Sequence, residues 1–345
     1  MDLARYGGKV VMFSDTTGGG WRGLRRRMHL ASDKSVEQLA YTLHRKLHRR
    51  FRPDTLLPFA QAIHIEVTNA CNLKCVMCPR TGMDREVGFM PRELFLKIVH
   101  QLKDQRRRLE SVALMGLGEP LLHKEFFDFA VIAHQAGLSR LYTSTNATLL
   151  DEHNVGRLLG DGAFDQVIVS LDGISAATYE AVRPGCAYAT VAENVARLFA
   201  HKRAGGQRRP EIELQILLMR QTEDEVEAFC DYWAPQLGRG DRILIKEADT
   251  FGGQVEDLRA ASVHAGEPAE RFACRQLWKD MSIGWDGKVT VCCKDVLYKL
   301  ALGDAHHDFL LDLWNSKRWN GIRRLHREGK WDWCDPCHVC REWWI

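Results

Sequence analysis

No stretch of the chain is apolar over the roughly eighteen residues that a membrane span needs. The first residues, Met1-Asp2-Leu3-Ala4-Arg5, lack the apolar core of a secretion signal. The expected compartment is therefore the cytoplasm, with no membrane partner. Between residues 61 and 250 there is no Gly-x-Gly-x-x-Gly fingerprint and no P-loop, so nothing there supports nucleotide binding of those kinds. No basic motif is interleaved with aromatics in the manner of nucleic-acid binders, and nucleic acid is disfavoured as a partner. Net charge is only +3, and it is uneven: residues 1–60 hold twelve Lys/Arg against five Asp/Glu.

Cysteine, by contrast, is abundant. Eleven cysteines in a chain expected in a reducing compartment point to metal binding or redox work more than to disulfides. Three of them, Cys71, Cys75 and Cys78, are spaced C-x3-C-x2-C within eight residues. The segment just before, Ile63-His64-Ile65-Glu66-Val67, alternates apolar and polar like a strand, so the thiols sit on a loop at a strand end. Three thiolates can hold three irons of a four-iron, four-sulfur cubane and leave the fourth iron open for a small molecule, whereas a closed zinc site takes four ligands. A zinc site completed by a distant residue is the alternative.

Around that loop, strands expected at 62–67, 111–116, 140–144, 166–170, 211–219 and 242–247 alternate with helical patterns at 91–103, 124–136, 149–160, 187–203 and 222–237. This rhythm means βαβ units and a parallel sheet. Six units fit an α/β fold built as a partial, open (β/α)6 barrel of the TIM type. Upstream, residues 7–20 are rich in glycine and read as loop or disorder. Ser35 is placed to cap an amphipathic helix carrying Val36, Leu39, Leu43, Leu47 and Phe51 on one face. Three segments follow: a basic N-terminal arm at 1–60, the barrel at 61–254, and a Cys-rich module at 255–345.

In that last segment Asp286-Gly287 is a tight-hairpin signal. Such a hairpin brings Cys274 and Cys292, spaced C-x12-G-x4-C, towards one cluster. Cys334, Cys337 and Cys340 then supply the remaining ligands. Cys274, Cys292, Cys334 and Cys337 are the preferred set, with Cys340 able to replace one of the last pair and Cys293 able to replace Cys292. A zinc ribbon is the alternative.

The C-x3-C-x2-C loop resembles the signature of the radical S-adenosylmethionine (SAM) superfamily, and the C-terminal layout, with Leu313-Trp314-Asn315-Ser316 before the last cysteines, resembles the SPASM/twitch extension of those enzymes. The resemblance implies that SAM chelates the open iron of a [4Fe-4S] cluster and is cleaved reductively to a radical that removes a substrate hydrogen. It implies an external electron donor such as flavodoxin or ferredoxin, and one auxiliary [4Fe-4S] cluster. It places Met77 beside the adenine. Gly116, Gly118 and Glu119 stand in a variant of the family's GGEP motif, with Leu117 at its first glycine, and would meet the amino group of SAM. Ser144, Asn146, Ser170, Asp172 and Gln215 would hydrogen-bond its ribose and carboxylate. The stretch Arg183-Pro184-Gly185-Cys186 resembles one that recurs in members with extra clusters. Cys186 falls near the barrel mouth, where a thiol can return a hydrogen atom to a substrate radical because S–H bonds are weaker than C–H bonds; the plainer expectation is a packed, small apolar residue. Cys230 lies in a helical pattern and reads as core.

Two outcomes follow for a carbinol carbon. Loss of a proton and an electron gives a ketone, and return of hydrogen to the opposite face gives the epimer. The shortened module resembles those of aminocyclitol dehydrogenases and epimerases of antibiotic biosynthesis, which implies a sugar or aminocyclitol substrate. A peptide (RiPP) maturase is the second reading, and a non-catalytic zinc or nucleic-acid-binding protein the third.

Overall fold

The computed structural model describes residues 9–13, 57–138, 140–248, 250–253, 271–340 and 343. The amphipathic helix expected around Val36–Phe51 lies outside them. Ten strands form one sheet: β1 (Val10–Phe13), β2 (Ala62–Ile65), β3 (Ser111–Leu114), β4 (Leu141–Thr145), β5 (Gln166–Ser170), β6 (Glu211–Leu218), β7 (Arg242–Glu247), β8 (Asp280–Ile283), β9 (Lys288–Thr290) and β10 (Ala301–Asp304). Their order is β1-β7-β6-β5-β4-β3-β2-β8-β9-β10. All pairings from β1 across to β8 are parallel, and β9 and β10 are antiparallel additions.

Strands β2 to β7 are the six of the expected partial barrel. Their connections carry α1 (Arg92–Gln105), α2 (Phe126–Gln135), α3 (Glu152–Gly160), α4 (Ala176–Val182), α5 (Tyr188–Ala204) and α6 (Val226–Trp233). Each helix turns an apolar stripe to the sheet, as α1 does with Leu94, Phe95, Ile98, Val99 and Leu102. Local capping fixes several starts: Asp151 accepts from Asn154 N at 2.8 Å ahead of α3, and Ser175 accepts from Thr178 N at 3.2 Å ahead of α4. Cys230 is fully buried in the core, as its helical pattern implied.

The reading of residues 7–20 as loop is corrected at Val10–Phe13. This four-residue apolar run is too short to show a period, yet it pairs parallel to β7, and Lys9 Nζ anchors it by donating to Ala234 O and Leu237 O at 3.1 and 3.0 Å. The sheet also extends past β2. The hairpin signalled by Asp286-Gly287 forms, with Gly287 at φ +85° closing the turn from Gly284. Its first strand, β8, lies parallel to β2 in the register Ala62↔Asp280 and His64↔Ser282. The C-terminal module is therefore continuous with the barrel sheet. Beyond it, α7 (Leu310–Asn315) and α8 (Lys317–Arg327) pack Trp314 and Trp319 into the core.

Strand alternation separates two faces. Ile63 and Ile65, Val112 and Leu114, Val167 and Val169, Ile212 and Leu214, and Ile243 and Ile245 join the apolar core beneath the helices. The other face, the lumen of the partial barrel, carries His64, Ala113, Tyr142, Ser144, Gln166, Ile168, Ser170, Glu213, Gln215, Arg242, Leu244, Asp280 and Ser282, matched strand to strand by the ladder register.

Candidate functional site

Beyond β2 the backbone is locked by its own polar side chains. Thr68 Oγ1 donates to Gly88 O at 2.6 Å, and Asn69 bonds Glu86 O at 2.7 Å and accepts from Gly88 N at 2.9 Å. The loop bearing Cys71, Cys75 and Cys78 then docks on the segment after α4: Lys74 N donates to Pro184 O at 2.9 Å and Val76 N to Val182 O at 3.0 Å. Leu73 and Met77 pack with Val182, Leu217 and Met219, and Cys71, Cys78 and Cys186 flank this small apolar cluster. Cys186 is thus brought next to the cysteine loop. It is only partly buried, its thiol donates to Ala187 O at 3.7 Å, and burial pushes its pKa up.

The three thiols face one another. Burial pushes Cys75 up to about 11, Arg183 opposes the rise, and the charges of Cys78, Asp172 and Cys71 add to it. Burial likewise raises Cys78, with Cys71 again a contributor. Thiols that burial keeps protonated are ionised outright by a bound cation, so this trio fits an iron–sulfur cluster. A guanidinium completes the setting. Arg183 bonds Asp172 Oδ2 through Nε and Nη2 at 2.8 and 2.6 Å, and its Nη1 donates to Cys75 Sγ at 3.6 Å. The sequence offered the Arg-Pro-Gly stretch but not this pairing, which joins residues 108 positions apart.

The two carboxylates expected to meet SAM, Asp172 and Glu119, also accept hydrogen bonds from the protein. Asp172 is fully buried between Arg183 and Leu217 N, which donates at 2.7 Å. Glu119 accepts from Thr145 Oγ1 at 2.8 Å, Asn146 N at 2.7 Å and Leu121 N at 3.2 Å, and burial raises its pKa to about 7. Both carboxylates help to shape the strand ends. Gly116 lies against the Glu66 side chain, and Gly118 lies so close to Thr68 O and Ala70 O that a Cβ would stand 2.4 and 2.5 Å from them. Asn146 Nδ2 donates to Asn72 Oδ1 at 3.0 Å and approaches Cys71 Sγ at 3.8 Å. Ser144, Ser170 and Gln215 lie on the lumen face, and Met77 is buried under the loop.

The second set gathers in the C-terminal module. Burial drives the Cys337 thiol far up, with the nearby Cys274, Cys292 and Cys334 as its next contributors. Cys274 is raised to about 12 by burial and then by Cys292. Four cysteines brought near one another from a hairpin and a distant turn, Cys274 and Cys334 buried and Cys292 and Cys337 partly so, fit a four-cysteine iron–sulfur site. Arg271 Nη2 donates to Cys337 O at 2.5 Å and offsets charge at this set. Cys340 N donates to Cys337 O at 3.2 Å in the closing turn. Cys293 hydrogen-bonds with Cys292 and lies near Tyr142 on the lumen side.

With this geometry in place, comparison with known proteins is informative. Residues 65–232 match the radical SAM superfamily profile, and residues 274–341 match the SPASM iron-sulfur cluster-binding domain. The tungsten-containing aldehyde ferredoxin oxidoreductase cofactor-modifying protein of Pyrococcus furiosus is 22% identical over 317 residues, covering 80% of this chain and 87% of that protein. BtrN in complex with AdoMet and 2-DOIA aligns with a TM-score of 0.55 at 19% identity, over 82% of this chain and 93% of BtrN. Streptococcus suis SuiB bound to its precursor peptide SuiA aligns with a TM-score of 0.63 at 18% identity, over 92% of this chain and 81% of SuiB. The fold and the two thiol sets are those of an iron–sulfur enzyme that uses SAM. The chain belongs to the radical SAM superfamily and carries a C-terminal SPASM domain. Its cofactors are a SAM-binding [4Fe-4S] cluster, SAM itself and auxiliary iron–sulfur. No helix among the described residues is long and apolar enough to cross a membrane.

Proposed function

We propose that this enzyme removes a hydrogen from a carbinol carbon of a sugar or aminocyclitol natural product held in the barrel lumen, and that the product is the epimer or the ketone. The observation that carries this reading is the lumen face. A TIM-type barrel interior is ordinarily packed with branched apolar side chains, whereas here Tyr142, Ser144, Gln166, Ser170, Glu213, Gln215 and Arg242 face inward beside Ala113, Ile168 and Leu244. Gln166 Nε2 donates to Glu213 at 3.1 Å and Arg242 Nε to the same carboxylate at 2.6 Å, a polar floor at the strand starts, while Ser170 and Gln215 lie nearer the strand ends where a polyhydroxylated ligand would meet the cluster loop.

When bound, SAM and the two clusters supply the electron, the abstracting radical and an electron sink. The protein's residues hold and orient. Cys71, Cys75 and Cys78 ligate the first cluster, and Cys274, Cys292, Cys334 and Cys337 the auxiliary one, with Cys340 in reserve. Arg183 offsets negative charge at the loop. Met77 would lie beside the adenine, Gly116, Gly118 and Glu119 would meet the ammonium, and Ser144, Asn146, Ser170, Asp172 and Gln215 would meet the ribose and carboxylate. Cys186 donates a hydrogen atom from Sγ to the substrate carbon in the epimerisation branch; the resulting thiyl radical takes up one electron and one proton from the external donor and solvent. Segments 1–60, 61–254 and 255–345, a cytoplasmic location and a flavodoxin or ferredoxin donor belong to the same reading.

The test is anaerobic reconstitution with SAM, a strong reductant and a panel of aminocyclitols in deuterated water, following 5′-deoxyadenosine and deuterium in product. In Cys186→Ala the expected result is continued 5′-deoxyadenosine formation with loss of deuterated epimer. Unchanged epimer yield and label would remove the donor role. Peptide maturation rests on fold likeness to SuiB, and 5′-deoxyadenosine coupled to a peptide but to no aminocyclitol would replace the present reading with it.

A further inference from the structure

We propose that His64, Asp280 and Cys293 form a mononuclear zinc site on the lumen side of the auxiliary-cluster cysteines, separate from both iron–sulfur sets. One ligand atom from each, an imidazole nitrogen, a carboxylate oxygen and a thiol sulfur, lies within 4.8 Å of the other two. Two donors on a tetrahedral zinc at the usual ~2.0–2.3 Å lie about 3.3–3.7 Å apart, so side-chain shifts of roughly an ångström at most close the site.

The three residues come from different elements, β2, β8 and the turn after β9, and the sheet register brings them together. His64 pairs with Ser282, two residues along β8 from Asp280, and both side chains occupy the lumen face. Two of the three lack hydrogen-bond partners among the described residues, while Cys293 meets Cys292. Asp280 is 4% exposed, and no hydrogen bond reaches its carboxylate among the described residues. Its nearest cations, Lys279 and Arg275, act on it only through space, and Lys279 is paired with Glu110 at 2.8 Å. The His64 ring likewise has no hydrogen bond among the described residues, and Ser282 Oγ beside it is buried without a partner. Unpartnered buried polar groups are costly, and the Asp280 carboxylate and Ser282 Oγ, set against the His64 ring, describe a site suited to a ligand.

The donor set selects the ligand. Imidazole, carboxylate and thiolate together suit zinc, and the two anionic donors balance its charge. Lys294 approaches His64 and opposes a cation, while the Tyr142 hydroxyl lies near Cys293 and Asp280. Three protein ligands leave a fourth position open to an oxygen donor from the lumen, the arrangement of a Lewis-acid zinc. The site requires that Cys292, and not Cys293, belongs to the auxiliary cluster; it does not depend on the substrate.

The test uses full-length holoenzyme reconstituted anaerobically, supplied with zinc and desalted. The expected result is one zinc per chain above the iron complement. Its X-ray absorption shell should hold one sulfur near ~2.3 Å, with nitrogen and oxygen near ~2.0–2.1 Å. Asp280→Ala and His64→Ala should each lower zinc affinity about tenfold or more with iron and sulfide counts unchanged. A fully iron-loaded wild type that retains no zinc would overturn the proposal, as would a four-sulfur zinc shell, or variants that keep zinc. Should a variant also lose iron, the wild-type absorption shell decides on its own.

Discussion

Arg183 is the residue on which most of the cluster loop's setting converges. Its guanidinium is buried against Asp172, and one of its nitrogens faces Cys75 Sγ. Removing one partner of such a pair leaves a buried charge alone, which costs roughly 3–5 kcal/mol. Arg183→Ala is therefore expected to lower unfolding stability by about that amount, read by anaerobic denaturant titration. Arg183→Lys should recover part of it, because the charge remains while the two-nitrogen grip on Asp172 is lost. Glu119 leads to a pH dependence. Burial raises its pKa to about 7 in the folded protein, above its ordinary value, so between those values the folded state holds a proton that the unfolded chain has released. Stability from this group is present at low pH and declines as pH rises towards 7. Unfolding free energies measured from about pH 5 to about pH 7 should fall in the wild type and fall less steeply in Glu119→Gln.

Among the elements, the six βα units were legible because each strand and helix carries its own period, and the cysteine loop because its spacing is local. Two strands were not. Val10–Phe13 is too short to carry a pattern, and β8 reads only as half of a hairpin; both acquire parallel partners through contacts remote in sequence. The same limit hid the lumen network and the His64–Asp280–Cys293 group, because register alone places those residues together. It also hid how Asp172 and Glu119 are engaged. The strand-end glycines were legible, and one supports a test. A Cβ at Gly118 would meet backbone oxygens of Thr68 and Ala70, which cannot rotate away. Gly118→Ala is expected to push the residue 68–71 backbone outward and weaken SAM binding at least about tenfold, whereas the protein should still fold with its auxiliary iron intact. Equilibrium SAM binding together with an iron count checks this, and unaltered affinity would refute the close-approach argument.

At the level of the whole molecule, the question is what keeps two iron–sulfur loops in fixed relation. The continuous sheet through β2 and β8 provides the frame, and Arg85 provides a strut. From the segment following the first cysteine loop, Arg85 bonds Glu66 Oε1 at 2.5 Å and Val296 O at 3.1 Å, and stacks 4.0 Å from the Tyr298 ring centre. Glu66 in turn accepts from Leu117 N at 3.3 Å, beside the glycine motif. One cation thus touches the end of β2 and the C-terminal module, and through Glu66 is linked to the loop after β3. Nearby, Gly88 packs flat against the Trp285 indole, so the same segment is clamped twice. Arg85→Ala leaves Glu66 buried without its cation and removes the module's Val296 and Tyr298 contacts together. The expected outcome is faster amide exchange in residues 284–300 and 66–70, with little change in α5 or α6, and a stability loss of about 3–5 kcal/mol. Exchange that rises uniformly over the chain would show that Arg85 contributes only to global stability. Exchange confined to residues 85–90 would show that the two loops are held in register by the sheet alone.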